Sequence, residues 1–207
     1  MNVFVLSTGR TGTMSLEKAC AFADNYTCAH ESRCSFLKDE RLQYPEDHIE
    51  IDNRLSWFLG KLDDMYGDEA IYIHMLRDTE QVARSYAKRW NRETSIIRAY
   101  AYGILKRQEH EIGDTLEISR DYVETVNSNI KNFLRDKTNK MEFRLENAAQ
   151  DLPIFWEMIR AKGEYNKAWA AFNEVYNTSE QSRSAQEEPM GKLVRVIKKL
   201  PAFIRNA

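Results

Sequence analysis

The chain has 207 residues, of which 43% are apolar and 30% are charged. These values are typical of a globular domain, and the low glycine and proline content excludes fibrous and low-complexity proteins. No apolar run approaches the roughly 20 residues of a membrane span, which excludes membrane-spanning classes. The formal charge of −2 provides no overall basic field, so nucleic-acid binding has no support and any anion site has to be local.

Hydrophobic periodicity predicts an alternation of short strands and helices along the chain. Strands are predicted at residues 2–6, 26–29, 48–51, 70–76 and 141–145. Helices are predicted at residues 14–22, 55–66, 79–90, 94–106, 120–135, 152–159 and 165–176. The alternation predicts an α/β fold, a three-layer sandwich with a mostly parallel central sheet. The most apolar strand, 70–76, is expected at its centre.

Composition divides the chain into a domain and a tail. Residues 1–177 are expected to form one α/β domain, followed by a polar linker and a basic helix or tail within 178–207. The basic residues of this tail are Lys192, Arg195, Lys198, Lys199 and Arg205. Docking of the tail on the domain is the favoured interpretation, and peripheral contact with anionic lipid is the alternative.

The cysteines and the N-terminal residues predict a cytoplasmic location. Cys20, Cys28 and Cys34 are odd in number and lack CxxC spacing, and the chain opens on a strand-like run rather than a signal segment. Cys28, His30 and Cys34 could together contact a metal, but no second ligand pair stands at zinc spacing. Reduced thiols and no metal site are therefore expected.

The segment Ser7–Thr13 has the composition of an anion-binding loop. It follows the first predicted strand and opens the first helix, where successive backbone N–H groups meet the positive end of the helix dipole. Gly9 and Gly12 let the backbone curl around an anion, and Thr11 can donate a hydroxyl hydrogen bond. The alternative is an ordinary strand-to-helix turn that is rich in glycine and threonine.

This loop differs from the nucleoside-triphosphatase loop, in which Lys follows the last glycine. Here Arg10 precedes Gly12, and Thr13 stands where that lysine would be. The strand at 70–76 ends in Arg77-Asp78, and Asp78 is a weak candidate for a magnesium ligand. The pattern favours a phosphate-containing donor that requires no metal.

The loop Ser7–Thr13 resembles the 5′-phosphosulfate loop of the sulfotransferases, where a basic residue is followed by Ser or Thr, Gly and Thr. A second family signature is a strand that ends in Arg-Asp and leads into a helix carrying Ser eight residues after the Arg. Residues 72–86 are similar to it, with Arg77 and Ser85 at the matching positions. Residues 143–148 also resemble a later strand and turn of the family, and this resemblance is weaker.

The resemblance implies a P-loop-like sulfotransferase fold that binds 3′-phosphoadenosine 5′-phosphosulfate (PAPS) without a metal. Arg77 and Ser85 would hold the 3′-phosphate of this donor, and the glycine loop would hold its 5′ end. The implied donor-binding residues are Thr8, Gly9, Arg10, Thr11, Gly12, Thr13, Met14, Ser15, Arg77 and Ser85. The chain departs from the family at Ser15, where cytosolic members have an aromatic residue, and it lacks a late Arg-Lys-Gly segment.

The chemistry of sulfuryl transfer suggests three catalytic residues. Arg10 can stabilise the charge that appears on the departing phosphate, because its guanidinium stays protonated and bridges two oxygens. A base that takes the acceptor's proton would be Glu31 or His30, which follow the second predicted strand. Glu31 is favoured, with His30 orienting it or contacting the acceptor, and the choice stays open.

Three function classes remain after this inspection. The leading one is a sulfotransferase acting on a hydroxyl or amine of a small molecule, glycan or lipid. The alternatives are a metal-dependent P-loop phosphotransferase and a non-catalytic nucleotide-binding relative. Residues 52–54 are expected either to line the acceptor cleft or to cap the next helix.

Overall fold

The computed structural model describes residues 1–174, and its centre is a sheet of five parallel strands. The strands are β1 Val3–Ser7, β2 Thr27–His30, β3 His48–Ile51, β4 Ile71–Leu76 and β5 Lys140–Arg144. The helices are α1 Thr13–Cys20, α2 Leu59–Tyr66, α3 Thr79–Ala87, α4 Ile96–Ala99, α5 Thr115–Phe133, α6 Ala148–Met158 and α7 Tyr165–Asn173. Short 3₁₀ turns occur at Lys38–Arg41, Asn53–Trp57, Glu109–Glu111 and Leu145–Asn147.

The strand order is β2-β3-β1-β4-β5, and every neighbouring pair is parallel. On β1, Val5 is aligned with Ile51 of β3 on one side and with Ile73 of β4 on the other. The chain therefore leaves β1 toward one edge of the sheet and later crosses to the other edge. Such a switch point opens a crevice at the carboxyl ends of the strands, which is where open α/β sheets bind ligands.

Two apolar layers cover the two faces of the sheet. Alternate residues of β1 belong to different layers: Val3 and Val5 pack with α1, α6 and α7, whereas Phe4 and Leu6 pack with α2, α3 and α5. Because both faces are covered, the central strands β1 and β4 read as nearly continuous apolar runs rather than as alternating patterns. The predicted three-layer α/β sandwich is confirmed, and its sheet is entirely parallel.

The helix predicted at 55–66 is divided into two parts. The carboxylate of Asp52 accepts the backbone N–H of Arg54, and the first part is the 3₁₀ turn Asn53–Trp57. The hydroxyl of Ser56 also donates to the carbonyl oxygen of Asn53. Side chains that bond to nearby backbone compete with the helical pattern, so α2 begins only at Leu59.

Two other predicted helices have different bounds. The helix predicted at 94–106 is the short α4 followed by a π-helical turn at Tyr100–Ile104. The helix predicted at 120–135 begins earlier, at Thr115, because the carboxylate of Asp114 accepts the backbone N–H of Leu116 and caps α5. Sequence periodicity found these helices but missed the cap.

Residues 1–172 form one compact unit. The linker and basic tail predicted within 178–207, and the end of the helix predicted at 165–176, lie outside the described residues. Among the described helices, none is both long and apolar enough to cross a membrane.

Two adjacent residues of α6 test its packing against the sheet. Phe155 is fully buried, whereas Ile154 is 55% exposed. Phe155→Ala is expected to lower the free energy of unfolding by about 3–5 kcal/mol, because it leaves a cavity in the core. Ile154→Ala should change it by less than about 0.5 kcal/mol. Urea denaturation measures both, and equal effects would contradict the assigned buried face.

Candidate anion-binding site

The loop Ser7–Thr13 curls through three residues with left-handed backbone conformation. These are Gly9 (φ +78°), Arg10 (φ +63°) and Gly12 (φ +93°). A Cβ atom at Gly9 would lie 2.5 Å from the hydroxyl oxygen of Tyr86. Glycine is therefore required there for both its conformation and its small size. Arg10 adopts the same region at a cost, as residues at functional sites often do.

Two buried tyrosines hold this loop in place. The hydroxyl of Tyr86, on α3, and the hydroxyl of Tyr122, on α5, both donate to the carbonyl oxygen of Thr8. Their rings meet edge to face at 5.4 Å. Burial, first of all, raises the pKa of Tyr122 to about 12 and that of Tyr86 well above its usual value, so both remain donors at neutral pH. The loop is thereby fixed to two helices far away in sequence.

The loop places the N-terminus of α1, which has no side-chain cap, at the crevice. Gly12 is the N-cap residue, no side chain caps the helix, and the first turn contains no acidic residue. Thr11 is 2% exposed, and within residues 1–174 its Oγ1 atom has no hydrogen-bond partner. A buried hydroxyl without a partner is costly unless a ligand satisfies it. These features fit an anion at the positive end of the helix.

The structure brings the residues of the two sequence signatures together. The Nε atom of Arg10 donates to the hydroxyl of Ser85 at 3.0 Å, and Arg77 Nη1 donates to the backbone oxygen of Arg10 at 3.3 Å. The other terminal nitrogen of Arg77 donates to Gln81 Oε1 at 2.8 Å. Arg77 and Ser85 therefore both contact Arg10 itself, at the carboxyl edge of the sheet.

Four arginines gather around this loop. Burial and the positive charges of Arg89, Arg92 and Arg77 lower the pKa of Arg10 to about 10, with Arg89 the strongest of the three charges. Burial and Arg92 likewise lower the pKa of Arg89. At pH 7 these guanidiniums are still protonated, so they repel one another. A bound anion would relieve that repulsion.

His30 and Glu31 lie at the end of β2, and they have different partners. His30 Nε2 is 3.2 Å from the hydroxyl of Thr13 at the start of α1. Glu31 forms an ion pair with Arg54, with 2.6 Å between Oε2 and Nη1, and each side chain is about one-third exposed. Glu31 itself has a left-handed backbone with φ +52°. The imidazole thus touches the loop, and the carboxylate faces Arg54.

The two roles predicted for residues 52–54, capping the next helix and lining a cleft, fall to different residues. Asp52 is fully buried, caps the 3₁₀ turn and forms an ion pair with Arg41. Burial raises the pKa of Asp52, and Arg41 offsets part of that effect. The side chain of Asn53 lies 3.2 Å from where a Cβ on Gly9 would be. Arg54 lines a cavity.

That cavity, which we call the Arg54 pocket, has a volume of about 370 Å³. Besides Arg54, its lining residues come from the segment around α4: Glu93, Thr94, Ser95, Ile96, Arg98, Ala99 and Tyr102. The guanidinium of Arg98 lies over the Tyr102 ring at 5.3 Å. The volume of the Arg54 pocket is within the range of small-molecule binding sites. Because Arg54 also contacts Glu31, the pocket adjoins the end of β2.

Asp78 is occupied as a helix cap. Its carboxylate accepts the backbone N–H of Gln81 at 2.9 Å, and its own N–H donates to Glu146 at 2.8 Å. The part of the chain described by the structure contains no group of three or more His, Cys, Asp or Glu side chains placed to hold a metal ion. All three cysteines are free thiols.

Sequence inspection missed some residues that shape the site. Tyr122 lies within the long amphipathic helix α5, where nothing local separates it from a core aromatic. The ion pair of Glu31 with Arg54 joins two strand ends and has no sequence signal. Arg89 and Arg92 are visible as part of a basic stretch, but their closeness to Arg10 depends on the fold.

Substitution of Gly9 tests the geometry of the loop. Gly9→Ala should lower the free energy of unfolding by about 1–3 kcal/mol, because of the positive φ and the approach to Tyr86. The control is Gly60→Ala in α2, where a Cβ meets nothing within 4 Å. That change should be neutral or stabilise by up to about 1 kcal/mol. Chemical denaturation measures both, and a neutral Gly9→Ala would contradict the strained loop.

Comparison with known protein families finds no match for this chain, and comparison with curated protein sequences finds none. Among solved structures, the fold is similar to the crystal structure of a sulfotransferase from Alicyclobacillus acidocaldarius. The TM-score is 0.52 at 14% sequence identity, covering 94% of this chain and 93% of that chain. The likeness establishes the architecture: this parallel α/β sandwich is a sulfotransferase-like fold.

Proposed function

We propose that the protein is a sulfotransferase that moves a sulfuryl group from PAPS to a hydroxyl or amine acceptor. The observation that carries the proposal is the convergence of Arg10, Arg77 and Ser85 on the glycine loop, with Arg89 and Arg92 acting on the same guanidinium. Two strand-to-helix turns thereby share one positively charged crevice. The sulfotransferase-like fold supports the same assignment.

The residues present suit a donor that carries phosphate groups at both ends of an adenosine. The buried hydroxyl of Thr11 and the uncapped N-terminus of α1 would bind the 5′ end, together with the backbone of Gly9 to Thr13. Met14 and Ser15, in the first turn of α1, border the same end. Arg77 and Ser85 would hold the 3′-phosphate. Mutual repulsion among the arginines makes the crevice selective for a highly charged anion.

PAPS, when bound, supplies a sulfuryl group whose transfer leaves negative charge on the departing phosphate. Arg10 is the residue placed to stabilise that charge, since its guanidinium is protonated at pH 7 and is part of the loop. The hydrogen bond from its Nε atom to Ser85 orients the side chain. Its terminal nitrogens are the donors that can bridge two oxygens of one phosphate.

Glu31 is the proposed base for the acceptor's proton. Its carboxylate is partly exposed and is oriented by Arg54, which also lines the Arg54 pocket. An acceptor in that pocket would present its hydroxyl or amine beside Glu31. His30 contacts Thr13 and is proposed to orient the loop. The proposed acceptor classes are a small molecule, a glycan or a lipid.

A metal-dependent phosphotransferase is the competing function. It would use Asp78 as a metal contact, but the carboxylate of Asp78 caps α3 instead. The non-catalytic alternative keeps the nucleotide site and lacks turnover. Both alternatives make predictions about ligand binding that differ from those of the proposed function.

Isothermal titration separates these functions directly. In the presence of a chelator, 3′-phosphoadenosine 5′-phosphate is expected to bind more tightly than ATP binds in magnesium buffer. Arg77→Ala should weaken bisphosphate binding about tenfold or more, because it removes a charged hydrogen bond. Lys167→Ala, which removes an exposed cation of α7, should leave binding unchanged. A preference for Mg-ATP would overturn the proposal.

Turnover with PAPS and a panel of acceptors tests the base. Glu31→Gln is expected to lower kcat by about 10²–10⁴-fold. Affinity for the bisphosphate should not change, because Glu31 lies outside the loop. His30→Gln should have a smaller effect on kcat. A larger loss in His30→Gln than in Glu31→Gln would transfer the role of base to His30.

A further inference from the structure

Strand β3 and the extended residue after it carry three buried polar side chains on one face. His48 and Glu50 of the strand, and Asp52 directly after it, occupy alternate positions and are 6%, 0% and 0% exposed. The intervening Ile49 and Ile51 belong to the apolar layer on the opposite face of the sheet. A strand buried on both faces usually carries apolar residues on both. The polar face of β3 therefore requires a specific explanation.

The segment 31–46 covers this polar face instead of a helix. Ser32 bonds to Glu50, and the thiol of Cys34 and the guanidinium of Arg41 both bond to Asp52. The ring of Tyr44 stacks on His48 with 5.4 Å between ring centroids and an interplanar angle of 10°. His48, Glu50 and Asp52 thus each hold one part of the covering segment.

Both carboxylate oxygens of Glu50 are hydrogen-bonded. Its Oε1 atom accepts the backbone N–H of Ser32 at 2.8 Å, and its Oε2 atom accepts the Ser32 hydroxyl at 2.6 Å. His48 Nε2 lies 3.1 Å from the same Oε2 atom, and Thr27 Oγ1 lies 2.7 Å from His48 Nδ1. Burying a carboxylate is costly unless it is fully hydrogen-bonded, and these contacts meet that condition.

The two hydrogen bonds from Ser32 to Glu50, which we call a clamp, also constrain the residue before Ser32. Glu31 has φ +52°, a conformation that a non-glycine residue adopts only when its surroundings fix it. The N–H of Glu31 donates to the backbone oxygen of Ile51 at 3.0 Å, and the N–H of the next residue donates to Glu50. The backbone is therefore held on both sides of Glu31.

We propose that Glu50 is a positioning residue, whose buried carboxylate fixes the strained turn at Glu31 and so directs the Glu31 side chain toward Arg54 and its pocket. The inference rests on the proposed role of Glu31 as the base. Asp52 completes the arrangement from the other side, since its carboxylate accepts the backbone N–H of Arg54 at 2.7 Å. Both members of the Glu31–Arg54 ion pair are thus held by adjacent acids of one strand face.

The chain provides a matched control for this contact. Asp68 accepts the backbone N–H of Thr138 at 2.8 Å and its hydroxyl at 2.6 Å, the same pair of bonds that Glu50 makes with Ser32. Thr138 precedes β5, whereas Ser32 follows β2, so this second clamp lies at the opposite, amino-terminal end of the parallel sheet. Asp68→Asn therefore reports the effect of weakening such a clamp away from the site.

The experiment compares Glu50→Gln, Ser32→Ala and Asp68→Asn by turnover with PAPS. Glu50→Gln is expected to lower kcat about 10–100-fold with an unchanged Kd for the bisphosphate, because the base is displaced while the loop is intact. Ser32 is exposed, and the Ser32→Ala variant keeps the backbone N–H bond to Glu50. This variant should therefore show a smaller loss of kcat than Glu50→Gln. Asp68→Asn should keep the kcat of the parent protein.

A double variant separates positioning from a general structural effect. If Glu50 acts through Glu31, the kcat of Glu31→Gln/Glu50→Gln should equal that of Glu31→Gln alone. Multiplying losses, or an effect of Asp68→Asn as large as that of Glu50→Gln, would overturn the proposal. The comparison is made on variants whose denaturation midpoints show that they are folded.

Hydrogen exchange makes the test independent of the proposed function. The backbone amides of Glu31 and Ser32 should exchange about tenfold faster in Glu50→Gln than in the parent, while the amides of β1 stay unchanged. Unchanged exchange at both amides would overturn the positioning role even in an active enzyme. Absence of bisphosphate binding in the parent would instead reject the sulfotransferase assignment and leave this structural result standing.

Discussion

The carbonyl oxygen of Thr8 is the point on which the site depends. It accepts hydroxyl hydrogen bonds from two buried tyrosines, one on α3 and one on α5, so the glycine loop is fixed to both helices. The same attachment brings α3, with Ser85, against Arg10. Together with the contacts of Arg77 and Ser85 to Arg10, this attachment holds the two sequence signatures against each other.

Several features around this loop lower the stability of the folded protein. Arg10 has a left-handed backbone, the hydroxyl of Thr11 is buried without a partner, and the N-terminus of α1 has no side-chain cap. Burial, and after it the crowding of like charges, lowers the pKa of Arg10 to about 10. A bound anion would reduce the costs of the unpartnered hydroxyl, the uncapped helix and the crowded charges, so these three features support the proposed function together.

The opposite side of the crevice is organised by acids rather than by arginines. Glu50 of β3 and Asp52 directly after it lie on one face of the sheet, where apolar side chains are usual. A polar face cannot slide as an apolar one can, because every displacement breaks a directional hydrogen bond. This polar face therefore holds the segment after β2 in a single position. It thereby also positions the Glu31–Arg54 ion pair, which borders the proposed acceptor pocket.

The sequence by itself determined the α/β class, all five strands to within a residue or two and the glycine loop, because apolar periodicity and glycine placement are local properties. It also placed Arg77 and Ser85 in a strand-to-helix setting. Only the tertiary structure decided which side chains meet. The clamp on Thr8, the arginines around Arg10 and the hold of Glu50 on Ser32 join segments whose contact depends on strand order, which no local pattern encodes.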